Sequence, residues 1–320
     1  MARQVDPGQL IEQARDGNGR AVARLISLVE GDHPQLREVM RTLAAHTGSA
    51  LSIGLTGSPG VGKSTTTTAL VTAYRQRGLR VGVLAVDPTS PFSGGALLGD
   101  RVRMQDIALD PGVYIRSMAT RGHLGGLSRA TPQALRVLDA AGCDVVLVET
   151  VGVGQSEVEV AGLADTTVVL LAPGMGDGIQ AAKAGILEVG DVFSVNKADR
   201  DGADATVREI QHMLGLGESR APGDWRPPVV RTVAARADGV EELIEAVDKH
   251  QAWLQGSGTL RERRLVRAAR EVETIALAAL RARMDGSGHG AWSLDELATE
   301  VVDGRLDPYA AADRLVDSVA

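Results

Sequence analysis

From Gly57 the chain reads Gly-Ser-Pro-Gly-Val-Gly-Lys-Ser, so Gly57 is followed after four residues by Gly62, Lys63 and Ser64 in immediate succession. Glycines let a backbone curl until successive amides face one anion, and a helix starting there adds the positive end of its dipole. Lys63 supplies an ammonium group for the β- and γ-phosphate oxygens, and the Ser64 hydroxyl is a hard oxygen donor of the kind magnesium takes. A glycine-rich turn that merely capped a helix would explain the glycines but not the lysine and serine that follow together. The apolar run Leu51 to Thr56 precedes the motif and a helical stretch follows it. Gly57, Ser58, Pro59, Gly60, Val61, Gly62, Lys63, Ser64 and Thr65 are therefore expected to line a phosphate site.

A second constellation selects the base. Asn196-Lys197-Ala198-Asp199 fits the pattern N-K-x-D and follows the apolar run Val192 to Val195. An ionised carboxylate at Asp199 can accept guanine N1–H and the 2-amino group together, whereas adenine offers no donors there and would leave a buried charge unpaired. Lys197 can lay its stem along the base plane. Alone, such a tetrapeptide is more often a strand-to-turn junction; downstream of a phosphate loop and again at a strand's C-terminal edge, it points to guanine. Thr232 to Arg236 then offers a third base-contacting loop, with Ala234 and Ala235 beside the base and the Ala235 amide for guanine O6. GTP or GDP with Mg²⁺ is the expected ligand set.

Three carboxylates compete for the magnesium: Asp87 and Glu149 at the ends of apolar runs, and Asp100 in a glycine-rich loop. Ligands in open α/β sheets collect at strand C-termini. Magnesium takes few protein ligands, so Ser64 with one or two of these carboxylates is expected in direct contact and the rest through water. Any one of the three could equally cap a turn or a helix. Glu149-Thr150-Val151-Gly152 has the E-x-x-G form of a γ-phosphate sensor, with the Gly152 amide free to approach the phosphate; Gln155 follows Gly154 directly and is given no water-positioning role. Beside Lys63, Arg103 and Lys183 are basic candidates for stabilising transition-state charge, or else solvated surface charges. The six histidines show no paired ligand spacing, His123 among them, so no transition-metal site is expected.

Short Val/Ile/Leu-rich runs that alternate with helical stretches must position these groups, the pattern of βα units around a mostly parallel sheet. The expected strands are Leu51–Thr56, Val81–Val86, Val113–Ser117, Val145–Val148, Thr167–Leu171, Val192–Val195 and Val229–Thr232. The fold class is thus α/β, a P-loop NTPase domain over residues 49–256. Residues 1–48 read as helices, with Asp6 before Pro7 as a start signal. Residues 257–320 carry no strand signal. They read as a long amphipathic helix from Leu260 to Met284, a Gly/Ser break, and two short helices opened by Ser293 with Glu296 and by Asp307 with Pro308. Leu265, Ala269, Val272, Ile275, Ala276 and Ala279 share one face of the long helix. That stripe can cover its own domain or a second subunit; the nucleotide fold does not require the segment, which tilts the reading towards a homodimer.

The composition suits a soluble globular protein, with 44% hydrophobic and 23% charged residues over 320 positions. A net charge of -7 gives no general attraction to nucleic acid or to an anionic membrane. The one cysteine, Cys143, rules out an internal disulfide framework and reads as a buried small hydrophobe in a reducing compartment. No apolar run reaches the roughly 18 residues that span a bilayer, and the first residues lack a signal-peptide core, so a cytoplasmic location is expected.

Taken together, the segments "GLTGSPGVGKST", "AVDPTSPFSGGALLGDRVRM", "YIRSMATRGHLGGL", "VLVETVGVGQSE" and "PGMGDGIQAAKAGILEVGDVFSVNKAD" strongly resemble the MeaB/ArgK family, whose human relative is the methylmalonic aciduria type A protein. Its members are G-protein chaperones of adenosylcobalamin-dependent acyl-CoA mutases. The resemblance spans about residues 8 to 284 and implies the signal-recognition and MinD-like GTPase class, with N-terminal helices and a C-terminal dimerisation arm. It implies that Asp87 and Asp100 fall in a first switch, Glu149 to Gln155 in a second, and Gly174 to Lys183 in a third that contacts the partner. It also implies that GTP hydrolysis gates delivery of adenosylcobalamin to a mutase and protects that enzyme, the chaperone itself not holding the cofactor. Gly178 stands where an acidic residue is expected, and Gly190 where alanine is usual; neither touches the nucleotide motifs. The nickel-delivering relatives carry Cys/His metal motifs that this chain lacks. Two other readings remain: a small-molecule kinase of the amino-acid transport type, and a scaffold locked on its nucleotide without turnover.

Overall fold

The computed structural model describes residues 6–31, 33–87, 104, 107–119, 130–150, 160–174, 186–216, 221, 223–284 and 292–319. Two compact units are present, Met1–Arg261 and Glu262–Ala320.

The first unit is built on a seven-stranded sheet of β1 (Leu51–Thr56), β2 (Val81–Asp87), β3 (Val113–Ala119), β4 (Val145–Thr150), β5 (Thr166–Leu171), β6 (Val192–Val195) and β7 (Val229–Arg231). The order is β3-β2-β4-β1-β5-β6-β7, and every neighbouring pair is parallel. The expected α/β class and parallel sheet are found. β1 and β6 end where the residue pattern puts them, while β4 runs on through Glu149 and Thr150. Those two polar residues stay in the strand because they pair with Ala85 and Val86 of β2, a partner that a reading of apolar runs cannot see. Every residue of β4 and of β5 is buried, as suits parallel strands covered on both faces.

Helices cover the two faces. On one, α4 (Lys63–Gln76) and α8 (Val240–Ser257) bring Leu70, Val71, Leu243 and Val247 onto Ile53, Leu55, Leu147 and Val168. On the other, α5 (Thr131–Ala140) lies between the sheet and the N-terminal helices α1 (Pro7–Arg15), α2 (Gly19–Glu30) and α3 (Leu36–Leu43). There Leu25, Ile26 and Val39 share a cluster with Leu84, Leu138 and Val146, so the N-terminal helices belong to the core of this unit. Asp6 caps α1 by accepting from the Gly8 and Gln9 amides. Asp139 on α5 accepts from the amides of Gly48, Ser49 and Ala50, which fixes the approach to β1. At the far end of α4, the Arg75 guanidinium and the Gly112 amide hold the Asp110 carboxyl below the usual carboxylate range. The short α6 (Ile186–Val189) precedes β6, and α7 (Ala203–Leu216) packs Val207 and Ile210 against Phe193 and Val195.

Gly190, where the resemblance makes alanine the expected residue, has a local cause: a Cβ there would collide with the ring of Phe193, which fills that space with no exposure. At the opposite edge of the sheet from the strand C-termini, buried His250 faces Thr166 and Asp191 and packs against Trp225 and Trp253.

α9 (Thr259–Met284) has no buried residue, and Leu265, Val266, Val272, Ile275 and Leu277 along it are exposed. α10 (Leu294–Val302) and α11 (Pro308–Val319) close a small cluster of Leu297, Ala311 and Leu315. Both start as their residues dictate. Ser293 and Glu296 form a reciprocal capping box, and Asp307 accepts from the amides of Tyr309 and Ala310. Among the described residues no helix is long and apolar enough to cross a membrane.

Candidate functional site

Parallel strands deliver their C-terminal ends to one edge of the sheet, and the central strand β1 passes there into the segment 57–62 and then α4. Two glycines make that path possible. Gly57 has φ 141° and Gly62 φ 99°, values that favour glycine. A Cβ at Gly57 would collide with the Leu170 carbonyl oxygen, and one at Gly62 with the amide nitrogen of Asn196. Val61 turns its side chain into the core, so its contribution to the loop is backbone.

Lys63 opens α4 and is buried, with 7% exposure, where a lysine needs partners. Its ammonium group donates to the carbonyls of Gly57 at 2.6 Å and Ser58 at 3.2 Å. That ties the charge across the mouth of the loop it serves. One residue on, the Ser64 hydroxyl donates to Glu149 Oε1 at 2.7 Å, and Thr67 donates to Glu149 Oε2, also at 2.7 Å. Glu149 comes from β4, the strand next to β1, and is 3% exposed. A carboxylate so deep needs such donors.

The base-side loops are held by Asn196. Its amide donates to the Val61 carbonyl at 2.8 Å, and its carbonyl oxygen accepts from the Ala234 amide at 3.0 Å and the Thr232 hydroxyl at 3.3 Å. Three of the four hydrogen bonds a carboxamide can make are thus spent inside the protein, and Asn196 works chiefly by joining the 57–62 loop, the 196–199 turn and the 232–237 loop. Lys197 adopts φ 57° and donates to the Gly60 carbonyl at 2.6 Å, which stretches its stem along the cleft. Asp199 lies 3.6 Å from the Arg236 guanidinium, whose Nε also bonds Asp238 at 3.0 Å. Both ends of the first pair are exposed, so its contribution to stability is small.

These groups border one cleft of about 1150 Å³, lined by Pro59, Gly60, Gly62, Lys63, Ser64, Thr65, Glu149, Lys197, Ala234 and Ala235, with the Thr68 to Gln76 side of α4 and Val240 along its length. Size and polarity suit a nucleotide, since small-molecule sites run to about 1,000 Å³. Ser64 and Glu149 side by side form an oxygen-only pair fit for a magnesium ion that keeps several waters. Asp87 ends β2, but its side chain, and Asp100, Arg103, His123, Gly152, Gln155, Gly178 and Lys183, lie outside the described residues. The residue pattern gives no role to one residue that the fold brings to the site. Thr67 is hidden in a run of four threonines, and its one signal is a β-branched residue early in a helix, where propensity is poor. Arg236 falls at the end of the expected third loop, but its pairing with Asp199 has no signal in the sequence.

The profile described as methylmalonyl Co-A mutase-associated GTPase MeaB matches residues 22–288. A protein of Pyrococcus abyssi that carries a GTPase name is 48% identical over 312 residues, 97% of this chain and 96% of that protein. GTPase ArgK of Escherichia coli is 36% identical over 282 residues, 86% and 84% of the two chains. The mitochondrial methylmalonic aciduria type A homolog of Mus musculus is 37% identical over 265 residues, 78% of this chain and 64% of the other. Among solved structures, a LAO/AO transport system kinase superposes with TM-score 0.71 at 26% identity, covering 98% of this chain and 99% of its own. A guanine-nucleotide fold with GTPase relatives along nearly its whole length leaves one conclusion: the chain belongs to the MeaB family of methylmalonyl-CoA mutase-associated GTPases.

Proposed function

We propose that this GTPase works with Mg²⁺ as a chaperone of an adenosylcobalamin-dependent acyl-CoA mutase, methylmalonyl-CoA mutase or a close relative. In this reading GTP hydrolysis gates loading of the mutase's cofactor and protects the mutase. The observation that carries it is the match of residues 22–288 to a profile of mutase-associated GTPases. Lys63 neutralises β- and γ-phosphate oxygens, while Ser64 and Glu149 hold the magnesium, with Asp87 and Asp100 completing the set directly or through water. When bound, the ion would supply charge neutralisation for the phosphoryl-transfer chemistry. The Gly152 amide, Arg103 and Lys183 are assigned to the γ-phosphate side. Asp199 accepts from the guanine edge, Lys197 lies along the base, and the Ala235 amide reaches O6. The exposed apolar residues of α9, Leu265, Val272 and Ile275 among them, support a homodimer through this arm.

Steady-state GTP hydrolysis with and without acyl-CoA mutases of the same cell, together with a pull-down on a non-hydrolysable GTP analogue, tests the proposal. A mutase that binds in the triphosphate state and alters turnover supports it; no mutase bound in either state refutes it. Lys63→Ala is expected to abolish hydrolysis, because the phosphates lose their main counter-charge. The solved relative described as a transport kinase favours a second reading, phosphoryl transfer to an amino acid. Label from γ-phosphate appearing on an added amino acid instead of in free phosphate would establish it.

A further inference from the structure

Thr66, Thr67 and Thr68 each place a hydroxyl 3.0 to 3.1 Å from the carbonyl four residues back. That back-bonding is ordinary for threonine in a helix, and taken alone it would make Thr67 a packing residue. Thr67 differs from its neighbours in reaching a carboxylate. It has no exposure, and its hydroxyl lies 2.7 Å from Glu149 Oε2 against 3.1 Å from the Lys63 carbonyl. A hydroxyl has one proton to give, and the shorter, charge-assisted bond takes it.

The two carboxylate oxygens of Glu149 therefore each accept from a hydroxyl on α4, Ser64 and Thr67, three residues apart and on the same face of the helix. This fixes the carboxylate at both ends. Ser64 gives its proton to Glu149, and a hydroxyl whose proton is directed that way presents its oxygen as a donor atom of the kind magnesium takes. Losing the Thr67 bond would remove one of the restraints on the carboxylate and so loosen the orientation it gives the serine hydroxyl. Packing asks only for a β-branched side chain at position 67, which valine would satisfy; the hydroxyl answers Glu149.

We propose that Thr67 is a positioning residue of the magnesium site: it holds Glu149 so that Glu149 orients Ser64. The inference rests on the reading that Ser64 and Glu149 take Mg²⁺. Partners behind a metal's direct ligands typically change metal affinity by about 10- to 100-fold when removed.

The test is titration of the full-length protein with a fluorescent GDP analogue over a range of Mg²⁺ concentrations and in EDTA. Thr67→Val and Thr67→Ala are expected to raise the Mg²⁺ concentration needed for tight GDP binding by about tenfold or more, with affinity in EDTA kept within about twofold. Thr67→Ser, which retains the hydroxyl, is expected to restore the parent's Mg²⁺ response. An unchanged Mg²⁺ midpoint in Thr67→Val, an equal loss in EDTA, or a serine variant that fails like valine would overturn the inference. A parent protein whose GDP affinity ignores Mg²⁺ would overturn the magnesium reading itself, and this inference with it.

Discussion

Replacing Asn196 by alanine is expected to damage stability and nucleotide binding together. The change deletes the bonds to the Val61 carbonyl, the Ala234 amide and the Thr232 hydroxyl, and Val61 and Ala234 are residues with 1% and 6% exposure. Each bond contributes about 1 kcal/mol net, and a buried group left unpaired costs about 1 to 3 kcal/mol, so a total near 3 kcal/mol is expected. At roughly 2 °C per kcal/mol for a domain of this size, the melting midpoint falls by about 6 °C. Calorimetry without nucleotide measures that drop. GDP titration measures the second effect, since the phosphate loop and the 232–237 loop lose their common tie. A midpoint within about 1 °C of the parent, with unchanged GDP affinity, would refute the view that one carboxamide holds the three loops.

Asp199→Asn is expected to erode the preference for GTP over xanthosine triphosphate by roughly tenfold or more, because hydrogen bonds to a charged acceptor contribute about 1.5 to 3 kcal/mol; competition binding with both nucleotides checks it. Gly190→Ala forces a methyl group into the buried Phe193 ring and is expected to cost about 1 to 3 kcal/mol in urea denaturation, relieved when Phe193→Leu is added. Burial pushes the Cys143 thiol up from 9.0 to about 12. The folded state therefore holds that proton longer than the unfolded chain, so its share of stability is complete below pH 9.0 and is lost as pH rises towards about 12. Thiol titration should find Cys143 unreactive in the native protein and reactive on unfolding, and Cys143→Ala should flatten the alkaline decline.

Much of the site was legible because its chemistry is local in sequence. Gly57 to Ser64 and Asn196 to Asp199 are contiguous, so spacing alone marks them as the candidate phosphate and base readers. The strands were legible because parallel strands buried on both faces read as apolar runs. Legibility failed where a residue's role depends on a distant partner. Glu149 and Thr150 continue β4 only because β2 lies alongside, and Thr67 gains its meaning from a carboxylate 82 positions away. Asn196 looks like a base contact in sequence, yet most of its bonding capacity turns inward. Gly190 looked like a departure without a reason until Phe193 was found in the space a methyl group would need. The stripe on α9 was visible as a face, but a pattern of apolar residues does not say what covers it.

The sheet order has a consequence for how the protein comes to be folded at all. β1 lies between β4 and β5, and the contact of Thr56 with Thr150 joins residues 94 positions apart. No hairpin nucleates such an arrangement, and distant pairing of this kind is slow. The groups that meet at the cleft come from β1, β4, β6 and the segment after β7, so a fragment lacking any of these strands cannot assemble it. A ligand that recognises only the finished unit lowers its free energy by about 2.7 kcal/mol at a concentration 100 times its dissociation constant. Guanine nucleotide on this account adds to the stability of the native chain, so the protein is expected to melt at a higher temperature with saturating GDP than without it.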